Sequence, residues 1–234
     1  TEFRSRRHRK PFEISLPGTL TAAEIELDED NSIILVSVYS PTADLSAHRI
    51  VSDLGSLLKR FNTATDQIIV AGDFNVYFGY GSDEVKAEEN KLFFERMKNY
   101  GLVFAGPQVP NGLPSDQATP RRTMIPQGSK NVGTHRLHSH SNTPGHQIDF
   151  VFVSEAIAKS VGVTALNSPE EWGISDHCRI LIEFDIDSDD VSGDQTIKIV
   201  SWSLNQNPLA WFEIEEMFRE DFADIVLAQE VKDP

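Results

Sequence analysis

The chain has 234 residues, enough for one domain with a sizeable core, and its 39% hydrophobic and 24% charged residues are ordinary for a globular protein. A formal net charge of −15 argues against a general nucleic-acid coat, because the phosphate backbone rewards clustered Lys and Arg. No apolar run approaches the roughly 20 residues of a membrane span, and no basic start leads into an apolar signal core.

A single cysteine, Cys178, excludes an internal disulfide framework and fits a small core residue. The expected setting is therefore cytoplasmic and reducing, with no membrane partner. The charge is uneven. Residues 4–10 are strongly basic and read as a solvated arm or as part of a basic rim. Residues 121–148 carry Arg121, Arg122, Lys130 and Arg136 without one acid, and four of the seven histidines.

In chain order, 21–27 alternates and predicts a strand, with a turn at Asp30-Asn31 before a more buried strand over 33–39. Residues 47–61 place Ile50, Leu54, Leu57 or Leu58 and Phe61 at helical spacing. A short buried strand follows over 67–71. A charged helix over 84–100 turns Leu92, Phe93 and Met97 inward and stops at Gly101. After a strand over 102–105, residues 106–146 read as a long loop. Strands return over 148–153, 160–166 and 179–186. The acidic stretch 187–195 reads as a linker. Beyond it come a strand over 196–202, a helix from Pro208 to about 220 with Trp211, Ile214 and Phe218 on one face, and a strand over 224–228. The pattern is α/β.

Polar tetrads close several of these runs. Gly72-Asp73-Phe74-Asn75 ends one, Asp149 interrupts the apolar Ile148–Val153, Ser175-Asp176-His177 opens another, and Gln229-Glu230 follows Ile225–Ala228. Strand ends that offer Asp, Asn, His and Glu together are what a metal-assisted hydrolase needs. Glu230, where a buried strand ends, fits the one or two carboxylates that hold Mg²⁺ (or Mn²⁺). Asp73 and Asn75, two apart on an extended segment, project to one side. There a carboxylate can orient or deprotonate a water and an amide can donate to a phosphate oxygen. Asp176 and His177 are adjacent, so they point to opposite sides, and Asp149 is the better partner for the imidazole.

With GDFN at 72–75, IDFVFVS at 148–154, SDHCRI at 175–180, SWSLN at 201–205 and AQE at 228–230, the chain resembles the endonuclease/exonuclease/phosphatase superfamily, which includes deoxyribonuclease-I-like and abasic-site endonucleases. In that family the SWN and QE motifs come first, whereas here they come last. The chain resembles a circularly permuted member, a single domain over 1–234. Residues 1–186 match the usual carboxyl-terminal part and 187–195 the linker, while 196–234 match the usual amino-terminal strand–helix–strand.

The resemblance implies a two-sheet α/β sandwich with outer helices. It implies that Glu230 is a metal ligand, that Asp176 helps at the metal site, and that His177 contacts the scissile phosphate with Asp149 paired to it. Tyr39 matches a strand-end tyrosine whose phenol reaches the phosphate, and Thr42 stands where abasic-site enzymes often have Asn. Ser203 replaces the Asn that usually bridges metal and phosphate surroundings; reduced activity, altered metal geometry and simple tolerance all stay open. Little or nothing corresponds to the segment that normally follows QE.

His135, His138, His140 and His146 have spacing that zinc permits, but no cysteine or acid accompanies them. They read as exposed loop histidines. By resemblance their loop lies on the substrate side, which makes His135, Arg136 and Lys130 candidate substrate contacts. The leading expectation is a Mg²⁺-dependent phosphodiester hydrolase, most simply a nuclease on DNA or RNA. The alternatives are a phosphatase for a small nucleotide, sugar phosphate or phospholipid, and a non-catalytic binding module that keeps the fold.

Overall fold

Strand alternation decides which layer each side chain enters, and every long strand here serves two layers. A computed structural model describes residues 4–6, 14–28, 31–42, 46–77, 84–115, 128–136, 145–186 and 195–231. The elements are β1 (Arg4–Arg6), β2 (Leu20–Glu26), β3 (Ser32–Tyr39), α1 (Ser46–Leu58), β4 (Gln67–Asp73), α2 (Glu84–Asn99), β5 (Leu102–Gly106), β6 (Asp149–Ser154), β7 (Val161–Leu166), β8 (Arg179–Ile186), β9 (Gln195–Ser203), α3 (Ala210–Arg219) and β10 (Ile225–Gln229). A 3₁₀ turn over Glu155–Ile157 follows β6.

Two mixed sheets result, one ordered β1-β2-β3-β4-β6-β5 and the other β10-β9-β8-β7. In β3, Ile34, Val36 and Val38 join a cluster with Ile50 and Leu54 of α1 and Phe93 and Met97 of α2. Ile33 and Leu35 point the other way, into the layer shared with Ile180, Ile182, Ile197 and Ile199 of the second sheet. β9 divides likewise, because Val200 and Trp202 face Ile214 and Met217 of α3. The architecture is an α/β sandwich of helix, sheet, sheet and helix layers. Each large apolar side chain buried there contributes roughly 1.5–3 kcal/mol.

β9 lies between β8, antiparallel, and β10, parallel, so the carboxyl-terminal strands complete the second sheet. Residues 187–194 lie outside the described residues. Among the described residues no helix is long and apolar enough to cross a membrane.

Some expectations fail. Arg4–Arg6, part of the 4–10 stretch read as a solvated arm or a basic rim, pairs with β2 as an edge strand, which excludes a free arm there; residues 7–10 lie outside the described residues. Leu92 is 39% exposed, because α2 turns Asn90, Phe93 and Met97 to the sheet instead. Phe218 is 45% exposed, since α3 starts at Ala210 and buries Ala210, Ile214 and Met217. Within the stretch 106–146, read as a loop, isolated bridges join Pro114 to Val132 and His135 to His146.

Candidate active site

The inner faces of the two sheets change character at one end. Tyr39, Asp73 and Asp149 occupy one row across β3, β4 and β6, in direct register. Each shares a strand face with an inward residue two positions away, Ser37, Ala71 and Val151 in turn, so alternation sends all three toward the other sheet. Across the gap, Ser203 of β9 is level with Gln229 of β10. Gln229 Nε2 donates to Ser37 Oγ at 2.9 Å and to Ser201 Oγ at 3.3 Å, tying the two sheets together beside the row.

Gly72 allows the row to close. Its φ is 148°, and a Cβ there would stand 1.9 Å from the carbonyl oxygen of Val38, so no other residue fits without moving β3. Phe74 then turns outward, its ring 5.4 Å from Phe93, and anchors the tetrad from the helix side.

Asn75 does not continue an extended segment. It adopts a left-handed φ of 49°, and its N–H donates to Asp73 Oδ1 at 2.9 Å, an Asx turn. Its amide nitrogen donates to the Ser40 carbonyl at 2.6 Å and to Asp73 Oδ2 at 3.0 Å. Both amide hydrogens are committed, so in this geometry Asn75 positions Asp73 and offers no spare donor to a phosphate.

Glu230 breaks alternation in the same way. As the residue after Gln229 it would face α3, but a φ of 49° ends the strand and turns it inward. There Ser203 Oγ donates to its Oε2 at 2.9 Å, and the Tyr39 phenol hydrogen-bonds to it. Burial, then Glu230, push the Tyr39 pKa well up, so the phenol stays protonated and donates. Ser203, expected among the substrate contacts, is buried with its hydroxyl donating to Glu230, so in this geometry it positions that carboxylate. A cavity of about 420 Å³ opens alongside, lined by Thr19, Thr21, Ser37, Tyr39, Gln229 and Glu230.

His177 stands between these groups. Its Nδ1 lies 2.9 Å from Asp149 Oδ2, and its Nε2 lies 3.8 Å from Asp73 Oδ2. Burial works against its charge, but Asp149, with Asp73 and Asp176 adding, outweighs it and holds the pKa up to about 10. Nδ1–H therefore donates to the Asp149 carboxylate, and Nε2 is the free position. Burial drives the Asp73 carboxyl well up, with Asp149 and Glu230 adding and His177 and Asn75 opposing. His177 is only 4% exposed, so it lies beneath the surface instead of opening directly on a cleft.

Asp176 lies beside His135. Its Oδ2 lies 3.6 Å from His135 Nε2, and burial, which would raise its pKa, is overcome by that contact and by His177, leaving the carboxyl lowered. His135 and His146 are not the exposed loop residues expected. His146 is buried against Tyr77, and His135 is held by bridges to His146 and His177. His138 and His140 lie outside the described residues.

The Arg136 guanidinium stacks 4.2 Å over Trp172, and the Arg136 backbone N–H donates to the Asp176 carbonyl. Lys130 is exposed, and its carbonyl accepts from Val109 at the other end of the 130–136 segment. No hydrogen bond or ion pair among the described residues joins it to the group above.

Sequence patterns missed two supports. Thr134 Oγ1 accepts from the N–H groups of Ile148 and Asp149 at 3.1 Å each, fixing the start of β6. Ser175 Oγ donates to the Ser203 carbonyl at 2.6 Å and accepts from His177 N–H, linking the second sheet to the histidine loop. A lone threonine carries no sequence signal of this role; Ser175 lay inside the SDH motif.

The donor set invites a metal. Asp73, His177 and Glu230 bring ligand atoms within 4.8 Å of one another. Two carboxylates this close repel, and Glu230 helps push Asp73 up; a hard divalent cation would relieve that repulsion.

No family model and no curated protein matches the chain. Solved structures similar to it include the endonuclease domain of TRAS1, a telomere-specific non-LTR retrotransposon, at 12% identity and a TM-score of 0.48 over 73% of this chain and 65% of that one. An endonuclease/exonuclease/phosphatase from Beutenbergia cavernae matches at 14% identity and a TM-score of 0.43 over 77% of this chain and 45% of that one. A Staphylococcus aureus beta toxin mutant with bound magnesium ions matches at 10% identity and a TM-score of 0.38 over 77% and 53%. The chain thus spans less than two thirds of each of these structures. The likeness concerns the sandwich fold.

Proposed function

We propose that this chain is a divalent-metal-dependent phosphoesterase of the endonuclease/exonuclease/phosphatase type that hydrolyses a phosphodiester, most simply one in DNA or RNA. One observation carries the reading: the buried Asp149–His177 pair lies against the Asp73 and Glu230 carboxylates at one end of the sandwich, with ligand atoms within 4.8 Å. A structural histidine needs one partner. Three acids around it, two of them mutually repelling, are explained by a cation and a phosphate that share the site.

Glu230 and Asp73 would hold Mg²⁺ or Mn²⁺. Such an ion, when bound, polarises phosphoryl oxygens and eases deprotonation of its water. The chain's own groups do the rest. Ser203 and Tyr39 hold Glu230 in place. Asn75 orients Asp73, whose carboxylate, with a cation offsetting the repulsion that holds its pKa up, would accept a proton from an attacking water. His177, its charge maintained by Asp149, presents Nε2–H as a donor to the oxygens that gain negative charge. The 420 Å³ cavity beside Tyr39 and Glu230 leaves room for substrate.

The same reading includes the circular permutation. β9 and β10 follow β8 in sequence yet complete its sheet, which is the arrangement a permuted chain requires.

A specific observation favours a second reading, a binding module without turnover: His177 is only 4% exposed. Cleavage of single- and double-stranded DNA and RNA in Mg²⁺ or Mn²⁺, against a His177→Ala control, separates the two. Metal-dependent products that vanish in the variant support the enzyme; no cleavage with retained nucleic-acid binding supports the module. Affinity that falls steeply with salt marks a polyanion substrate, whereas a small phosphoester loses little.

A further inference from the structure

In sequence the histidines of 135–146 have no acid beside them, but the fold supplies one from the SDH loop. We propose that His135, Asp176 and His177 form a site for a Zn²⁺-class transition-metal ion, distinct in its chemistry from the oxygen-rich pair Glu230 and Asp73.

The three ligand atoms lie within 4.8 Å of one another. Two ligand atoms on one tetrahedral zinc ion stand about 3.4 Å apart, and His135 Nε2 and Asp176 Oδ2 are already 3.6 Å apart. The His135 and His177 rings approach to 4.7 Å, tilted by 57°, so small rotations bring both nitrogens onto one ion.

The backbone that carries these ligands is fixed. His135 bridges both His146 and His177, and Arg136 N–H donates to the Asp176 carbonyl at 2.8 Å. His177 Nδ1 is taken by Asp149, so Nε2 is the ligating atom and a carboxylate backs it, as it does in most histidine-ligated metal sites. The His135 and Asp176 side chains are 24% and 25% exposed, which gives the ion an entry path and leaves a position for water.

Donor type separates the two sets. Imidazole favours zinc and its neighbours, while carboxylate oxygens favour magnesium and manganese. His177 Nε2 belongs to both, since it also lies 3.8 Å from Asp73. One nitrogen lone pair binds one ion, and binding releases its proton to solvent. A zinc ion held here withdraws His177 from Asp73. The consequence, inhibition of phosphodiester cleavage by zinc, rests on the function proposed above; the binding itself does not.

Co²⁺, a coloured stand-in for Zn²⁺, provides the test. Titrating the full chain should give one equivalent with the strong visible bands of a low-coordinate site, displaced by Zn²⁺. His135→Ala and Asp176→Asn should each weaken binding by more than the roughly 10–100-fold that loss of an outer-shell partner costs. Glu230→Gln should retain it, and circular-dichroism melting checks that each variant folds. Two results overturn the proposal: Co²⁺ bound by a folded His135→Ala as tightly as by wild type, or Co²⁺ binding lost in Glu230→Gln and not in His135→Ala. Cleavage without Co²⁺ binding removes this site alone; Co²⁺ binding without cleavage removes only the phosphoesterase reading.

Discussion

The layer between the two sheets has a body and an end, and the same strands build both. In the body, β4 and β6 contribute Ile69, Ala71, Val151 and Val153, all fully buried. At the end, one step further along the same faces, they contribute Asp73 and Asp149, equally buried but ionisable. The comparison separates stability from chemistry. Apolar groups in the body need only exclude water. Polar groups at the end need partners, and Asp73 and Glu230 meet theirs through left-handed turns at Asn75 and Glu230 that no core residue requires.

Changes at the end should therefore affect rate and stability together, while changes in the body should affect stability alone. The largest effect is expected from His177→Ala. Turnover of a phosphodiester should fall roughly 10²–10³-fold, the usual range for loss of a donor that stabilises developing negative charge. Stability should also fall, by about 3–5 kcal/mol, because Asp149 loses its partner while buried. Urea unfolding beside a cleavage assay measures both, and a rate loss with unchanged stability would break the picture of a buried pair.

Ile182→Ala, in the body, should cost about 2–5 kcal/mol through lost contacts and a cavity. At a temperature where the variant is folded its turnover should match wild type; a matching loss of rate would show that the body shapes the site directly.

Ser203→Ala sharpens the boundary. It removes the hydroxyl on Glu230 and should weaken Mn²⁺ binding by roughly 10–100-fold, as loss of an outer-shell partner does. Its effect on unfolding should stay near 1 kcal/mol. Calorimetric titration with Mn²⁺ reads the first, and unchanged affinity would mean that Glu230 needs no positioning.

A last test concerns pH in the metal-free protein. The His177 pKa is raised in the fold from its ordinary 6.5 to about 10. Its charge therefore contributes stability that is fully present below about pH 6.5 and is lost as pH rises through about 10. An NMR titration should find the imidazole still protonated at pH 8. Titration near 6.5 would mean that the surrounding carboxylates do not control it.

The alternation that defines the body was legible in the sequence, and so strands such as 33–39 and 179–186 match β3 and β8 within a residue. The pairing of Asp149 with His177 followed from the same rule, since adjacent Asp176 could not reach the imidazole. What periodicity cannot express went unread. Asn75 and Glu230 leave the extended region, so their side chains turn where alternation does not send them. Asp176 and His135 are brought together only by bridges between distant loops. The faces of α2 and α3 were misjudged at Leu92 and Phe218, because a helix with apolar residues on several sides settles its rotation by packing.

On the proposed function, the polar end of the sandwich uses a divalent ion held by Glu230 to cleave a phosphodiester. The most direct measurement is the rate of hydrolysis of bis-p-nitrophenyl phosphate as Mn²⁺ is titrated, for wild type and for Glu230→Gln. A rate that rises and saturates with Mn²⁺ in wild type and stays near the uncatalysed background in Glu230→Gln is the predicted result. A wild-type rate that is absent, indifferent to Mn²⁺, or equal in the variant would contradict it.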